Sequence, residues 1–360
     1  MNRGYWMKKK LIVSALLAGA SQLAAAQSNV TIYGMIDMAV VRESGGVAGP
    51  ATKITSGTTG GSRLGFKGTE DLGNGLKALF LLENGFQGDT GAMGQGGLLF
   101  GRQAYVGLQG GFGTVLVGRQ YTPHYLVQVF ADPFGSGWVG DSKNLLGTTG
   151  NSFSRMDNTV KYLSPVVGGF SAELVAAPGE VSGDSASGRQ LGGSLAWASG
   201  PLQVRLGYHN RNNDTASVHG TENAKNTVLA AVYDFGVVKL HGLYDWNRGL
   251  NSSVLRSTTQ FFGRPALAST DSRDALVGVT VPFGVHALLA SYIRKDDRTA
   301  FNQDASQIAL GYRYTLSKRT DLNLAVAKID NRNGASYTVG SAIESGSGDR
   351  SVMAGMRHAF

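Results

Sequence analysis

The side chains best suited to acid–base or metal chemistry are six histidines, His124, His209, His219, His241, His286 and His358. An imidazole titrates near neutrality and ligates through either nitrogen. These six fall in separate strands or loops, and the chain holds neither a His-Glu-x-x-His pair nor a Gly-x-Ser-x-Gly elbow. One Gly-x-Gly-x-x-Gly match, Gly135 to Gly140, is not wedged between a strand and a helix as a dinucleotide site requires. Cysteine is absent, which removes thiol chemistry and disulfides together. What remains is charge. Asp37, Arg63, Lys67, Glu83, Arg102, Arg155 and Lys161 each lie in or beside a short run of alternating apolar and polar residues. Charges fixed along a wall make an electric field, which acts on passing ions and dipoles without breaking a bond.

The elements that hold these charges have the period of strands. Val30, Ile32, Ile36, Met38 and Val40 alternate with Thr31, Tyr33 and Asp37. The same alternation recurs to the end of the chain. Sixteen strands can be counted, joined alternately by short turns and long polar segments. That sorting of links describes an up-and-down meander whose long loops share one end. Glycine at 52 residues and proline at 8 fit strands joined by glycine turns in one large domain, residues 27–360.

Each strand has one apolar and one charged face, as in VVKLHGLYDWN, DLNLAVAKID and SQIALGYRYT. Parity alone leaves open which face meets solvent. Three observations choose. The apolar face ends in aromatics such as Phe235, Trp246 and Tyr314, the mark of a membrane-interface girdle. A closed sheet of sixteen strands is too wide for side chains to fill, so a dry apolar interior would leave a void. Strands about ten residues long, at ~3.3 Å each and tilted near 45°, cover roughly 23 Å, close to an outer membrane's apolar band. The charges therefore face inward, since an arginine or lysine on lipid at the midplane costs about 2–4 kcal/mol. Arg205, Lys239, Arg313 and Arg357 join the seven charges above on that face. Arg119 falls on the other face, in a poorly alternating quarter expected to meet neighbouring subunits.

Two stretches break the pattern. Lys8, Lys9 and Lys10, the run LIVSALLAGA and Ala24-Ala25-Ala26 read as a cleaved secretory signal over residues 1–26. Its loss, with Arg3 but no acid, lowers the formal charge from +8 to +4, too little and too dispersed for nucleic acid. The second stretch, residues 122–154, loses the strand period for about thirty residues while carrying Phe130, Phe134 and Trp138. It is expected to fold into the barrel and narrow it.

The segments NVTIYGMIDMAV, SRLGFKGTEDLGNGLKALFLLENGF, FGRQAYVGLQGGFGTVLVGRQYTP and GMRHAF give the chain its resemblance to the general trimeric porins of Gram-negative outer membranes, most closely those of β-proteobacteria. The resemblance implies an all-β fold, a 16-stranded antiparallel transmembrane β-barrel with a long third loop folded into the lumen, assembled as a homotrimer. It implies an arginine ladder, matched by Arg63, Arg102 and Arg155, opposed by the wall acid Glu83 and by loop acids, for which Asp132 and Asp141 are the candidates. Phe360 matches the C-terminal aromatic read by the barrel assembly machinery. The other partners implied are small polar solutes and ions, outer-membrane lipid and lipopolysaccharide. No cofactor is expected. The expected function is passive diffusion with a mild preference for anions. The rivals are a substrate-specific outer-membrane channel and a barrel protease or lipase.

Overall fold

A computed structural model describes residues 29–135, 137–146, 154–253, 255, 257–341 and 343–360. The expected signal segment 1–26 lies outside them, as do parts of the 122–154 stretch. The strands in chain order are β1 (Asn29–Ser44), β2 (Ala51–Ser56), β3 (Arg63–Gly73), β4 (Leu76–Gly85), β5 (Gln103–Gly110) and β6 (Gly113–Tyr121). Then follow β7 (Arg155–Leu163), β8 (Phe170–Ala177), β9 (Gln190–Ser199), β10 (Leu202–Arg211) and β11 (Ala224–Asp234). The last are β12 (Lys239–Arg248), β13 (Asp271–Phe283), β14 (His286–Asp297), β15 (Ala305–Ser317), β16 (Thr320–Asn331) and β17 (Arg350–Ala359).

Except for β2 and β3, consecutive strands pair antiparallel, and β17 returns to β1 from Met35–Ala359 through Ser44–Arg350, so the sheet is closed. Both β2 and β3 pair with β1, β2 opposite Met38 to Glu43 and β3 opposite Asn29 to Met35. They are two halves of one interrupted staircase, which makes the barrel sixteen-stranded. Closure removes the free edges that an open sheet would expose.

The faces divide as expected for a wall between lipid and water. On β16, Leu322, Leu324 and Val326 are 39, 51 and 43% exposed while Asp321 and Asn323 are buried. Apolar side chains left bare on the outside of a closed barrel need a solvent that accepts them, and a bilayer does. Arg119, on the outward side of β6, is buried nonetheless: it donates from Nε to the Gly101 carbonyl at 2.8 Å and forms an ion pair with Asp157. Pairing within the chain is how this polar outward residue is accommodated.

The long connection after β6 contains a helix, α1 (Pro123–Ala131), which strand-period reasoning does not reveal. Thr122 caps it by accepting from the Tyr125 N–H at 3.2 Å, and Pro123 sits in its first turn, where a missing N–H costs nothing. Pro133 follows Asp132 at its end and cannot continue it.

Candidate functional site

Arg63 and Glu83 stand on neighbouring strands facing inward, because β3 and β4 pair with Gly65 opposite Glu83. Arg102 precedes β5 rather than lying within it, yet its backbone N–H bonds the Glu83 carbonyl at 3.1 Å and so delivers the side chain to the same place. Arg155 opens β7, opposite Tyr121.

These groups interlock. The Arg102 Nε donates to Glu83 Oε1 at 2.7 Å, Arg63 Nη1 lies 4.0 Å from Oε2, and the Tyr33 hydroxyl donates to Oε2 at 2.7 Å. The Tyr121 hydroxyl oxygen accepts from Arg102 Nη2 at 2.8 Å and from Arg155 Nη2 at 3.0 Å, while the Arg155 guanidinium lies 4.7 Å over the Tyr121 ring. Arg155 Nε donates to the Arg102 carbonyl at 2.8 Å. Lys161 donates to the Tyr121 carbonyl at 2.8 Å and pairs with Glu173. Three guanidiniums at such short range repel one another, and the carboxylate and phenol oxygens between them offset that repulsion.

The structure thus brings Arg63, Arg102, Arg155 and Glu83 into one cluster, with Lys161 beside it. Lys67 stands apart, exposed over the Tyr33 ring at 5.3 Å. Asp37 points inward but is not a charge offered to solute. It is fully buried, and its carboxylate accepts from the Thr58 N–H at 3.0 Å, the Thr58 hydroxyl at 2.7 Å, the Gly60 N–H at 3.1 Å, and both donors of Thr59. That set of donors fastens the break between β2 and β3, where the Gly61 carbonyl in turn accepts from Arg63 Nε at 3.0 Å. Lys239 is a rim residue paired with Asp234 at 2.8 Å. Arg205 and Arg313 lie over Phe130 and Trp138, at 3.9 and 5.4 Å, and Arg357 pairs with Asp321.

The two loop acids bind the loop's own backbone. Asp132 accepts from the Phe134 N–H at 2.9 Å and the Ser142 N–H at 3.0 Å; Asp141 accepts from the Lys143 N–H at 2.8 Å and lies 3.3 Å from its ammonium. Burial, with Asp141 adding to it, pushes the Asp132 carboxyl up to about 6. A carboxyl raised on folding contributes stability that is complete below its unfolded value and is lost as pH rises through the folded one. The loop is therefore expected to hold most firmly below about pH 4 and to loosen progressively as pH rises to about 6. Brief current fluctuations in single-channel records should become more frequent from about pH 4 to about pH 6, and Asp132→Asn should flatten that dependence; equal fluctuation at both pH values would contradict it.

Residues that sequence reasoning missed complete the site. Tyr121 and Tyr125 stack with centroids 5.2 Å apart, and Lys143 lies 5.9 Å over the Tyr125 ring. The aromatic neighbours thus continue from the arginine wall to the loop. Tyr121 stands at the last strand residue before the irregular stretch, which is the one signal in the sequence that could have flagged it.

The loop also contacts residues of β12 and β15. His124 Nε2 lies 2.8 Å from Asp245 Oδ1, Asn144 donates to Gln307 Oε1 at 2.7 Å, and Gln307 donates to the Gly140 carbonyl at 2.8 Å. Phe134 and Trp138 are 2 and 0% exposed. A Cβ placed on Gly311 would come 2.7 Å from Phe134, and one on Gly278 would come 2.4 Å from Pro133. Both glycines sit inward on their strands, where only the lack of a side chain permits so close an approach.

A closed antiparallel barrel, apolar outside and charged within, is an outer-membrane channel by construction. The chain belongs to the Gram-negative porin family, whose pattern residues 13–334 match. It is 32% identical over 372 residues to the outer membrane porin protein 32 of Delftia acidovorans, covering 98% of this chain and 100% of that one. It is 33% identical over 359 residues to an outer membrane porin protein of Bordetella pertussis, covering 88% and 92%. Among solved structures it is similar to an anion-selective porin from Comamonas acidovorans, with a TM-score of 0.76, 29% identity, and coverage of 93% and 100%. The protein is accordingly an integral outer-membrane β-barrel that forms a passive channel.

Proposed function

We propose that the channel passes small hydrophilic solutes with a preference for anions, and that the 122–154 loop narrows it beside Arg63, Arg102 and Arg155. The observation that carries this reading is the unequal exposure of the opposed charges. The Arg63 side chain is 27% exposed and that of Glu83 only 5%, covered by Arg102 and Tyr33. A passing ion therefore meets cation before carboxylate. The loop's contacts with Asp245 and Gln307 support a course across the lumen, and the 29% identical neighbour described as anion-selective supports the sign.

Three such barrels would associate through the outward faces of β4 to β6, where Val106, Leu108 and Val117 are 59, 44 and 50% exposed. Phe360, which exchanges backbone hydrogen bonds with Gly34 at 3.0 and 3.1 Å, would serve as the signal for barrel assembly. A channel of this kind performs no catalysis, and its scattered histidines are wall, rim and loop residues.

Planar bilayer recording across a salt gradient tests the proposal. The expected record has ohmic steps in groups of three and a reversal potential on the anion side. A silent bilayer would remove the channel reading, and a cation-side potential would remove the preference.

A further inference from the structure

Between β2 and β3 the chain holds more residues than the sheet can pair. β2 leaves β1 with Ser56 opposite Met38, and β3 resumes with Arg63 opposite Met35. Residues 57–62 therefore stand against Ile36 and Asp37 alone. Surplus residues leave the ladder and bend the strand. Here they turn inward, because the group that gathers them is the inward Asp37. Besides the five donors on its carboxylate, Asp37 accepts at its carbonyl from the Gly57 N–H at 2.8 Å and the Ser62 hydroxyl at 3.3 Å, and its N–H donates to Ser62 Oγ at 3.1 Å. One residue thus holds both ends of the turn by its backbone and the middle by its side chain.

The turn touches both the arginines and the loop. The Gly61 carbonyl accepts from Arg63 Nε at 3.0 Å. A Cβ on Gly61 would come 2.8 Å from Arg102 Nη1, and one on Gly60 would come 3.5 Å from Arg63 Nη2. On the other side, a Cβ on Gly137 would come 2.6 Å from the Thr59 carbonyl oxygen, so loop and turn meet backbone to backbone. Ile343, in the connection between β16 and β17, closes over Gly57, where a Cβ would come 3.0 Å from it. The hydrogen bonds of Arg155 go elsewhere, to the Arg102 carbonyl, Ser154 and Tyr121.

We propose that Asp37 is a positioning residue for the channel's selectivity: by gathering the turn of residues 57–61 it fixes Arg63 at the neck and sets how close the loop stands to it. The inference rests on the reading of Arg63 as a constriction charge. An ionised carboxylate only accepts, whereas an asparagine amide presents N–H groups on one side. Thr58 donates twice to Oδ1, while Thr59 and Gly60 together donate three times to Oδ2. Either orientation of an amide would therefore set N–H against a donor and release part of the turn. The Gly61 carbonyl then no longer holds Arg63, whose guanidinium spreads over its rotamers and away from the path of the ion.

The test is a double-mutant cycle on the reversal potential in planar bilayers. In the native background R63Q should change the permeability ratio about sevenfold, the effect of a unit charge ~7 Å from the ion, and in the D37N background about threefold, the effect at ~12 Å. Removing the Asp37 charge shifts the ratio by itself, but charges that merely sum leave the R63Q factor equal in the two backgrounds. R155Q is the control, and its factor should be the same with and without D37N. The double variant T58V/T59V removes two hydroxyl donors and no charge; it should lower the R63Q factor in the same sense, and it carries the test if D37N does not fold. An R63Q factor unchanged in D37N, or in T58V/T59V where D37N does not fold, would overturn the positioning role and leave the constriction reading standing. Equal loss of the R63Q and R155Q factors would mean a general loosening of the barrel and would overturn it as well. No effect of R63Q in the native channel would remove the constriction reading and this role together.

Discussion

Replacing Phe134 and Trp138 together by alanine is expected to raise single-channel conductance while leaving the barrel folded. The two rings meet edge to face at 5.7 Å and are buried against Gly311 and the inward side of β15, in a cluster with Val139, Leu145 and Leu146. Truncating a buried aromatic costs about 3–5 kcal/mol. Here that loss falls on the seating of the loop, because the barrel's own stability resides in its closed hydrogen-bond ladder. A cost of about 4 kcal/mol from either ring alone raises the unseated population about a thousandfold. The polar ties of His124 to Asp245 and of Asn144 to Gln307 remain, so the loop should fluctuate rather than leave altogether. A larger mean current with increased noise, together with unchanged heat-modifiable mobility, is the outcome to look for. A conductance equal to that of the native channel would show that the loop does not limit the passage.

Neutralising Arg63 and Arg102 to glutamine is expected to move the reversal potential toward the cation side by a severalfold change in permeability ratio. A unit charge 7 Å from an ion in a water-like medium contributes about 0.6 kcal/mol. That alters the anion and cation rates by a factor of about 2.7 each, in opposite senses, or about sevenfold in their ratio per charge, before salt screens it. The single substitutions should differ in character. Arg63 is the more exposed partner and makes one 4.0 Å contact with Glu83, so R63Q should change selectivity with little structural effect. Arg102 is buried between Glu83 and Tyr121. Its loss leaves a buried carboxylate without its nearest cation, so R102Q should also lower resistance to heat. Unchanged reversal potentials in both variants would place the selectivity filter elsewhere.

Much of this was legible in the residues. Alternation with period two, alternating short and long links, and aromatics at the ends of the apolar face led to a sixteen-stranded membrane barrel, and the structure closes in that way. The motifs around Arg63, Glu83, Arg102 and Arg155 pointed to a cluster that the structure does form. Other assignments depended on partners that parity does not identify. Asp37 has the inward parity of a lumen charge, but a turn folds back to enclose its carboxylate. Asp132 and Asp141 have the charge expected of a counter-wall, yet their carboxylates hold loop backbone. Tyr121, Tyr125 and Lys143 also connect the arginines to the loop.

The division has a physical cause. Strand parity and turn chemistry act between residues close in sequence, and with the strand count, strand length and aromatic ends of the apolar face the chain by itself determines which side chains face water and which face lipid, and therefore that it is a channel. What happens where the period stops, over residues 122–154, depends on contacts more than a hundred residues away. Gly278 and Gly311 leave room on the wall for Pro133, Phe134 and Trp138, and Asp245 and Gln307 bind His124 and Asn144. Those partners come within reach only when β17 closes on β1, and that closure decides which charges of the inner wall remain exposed to solute.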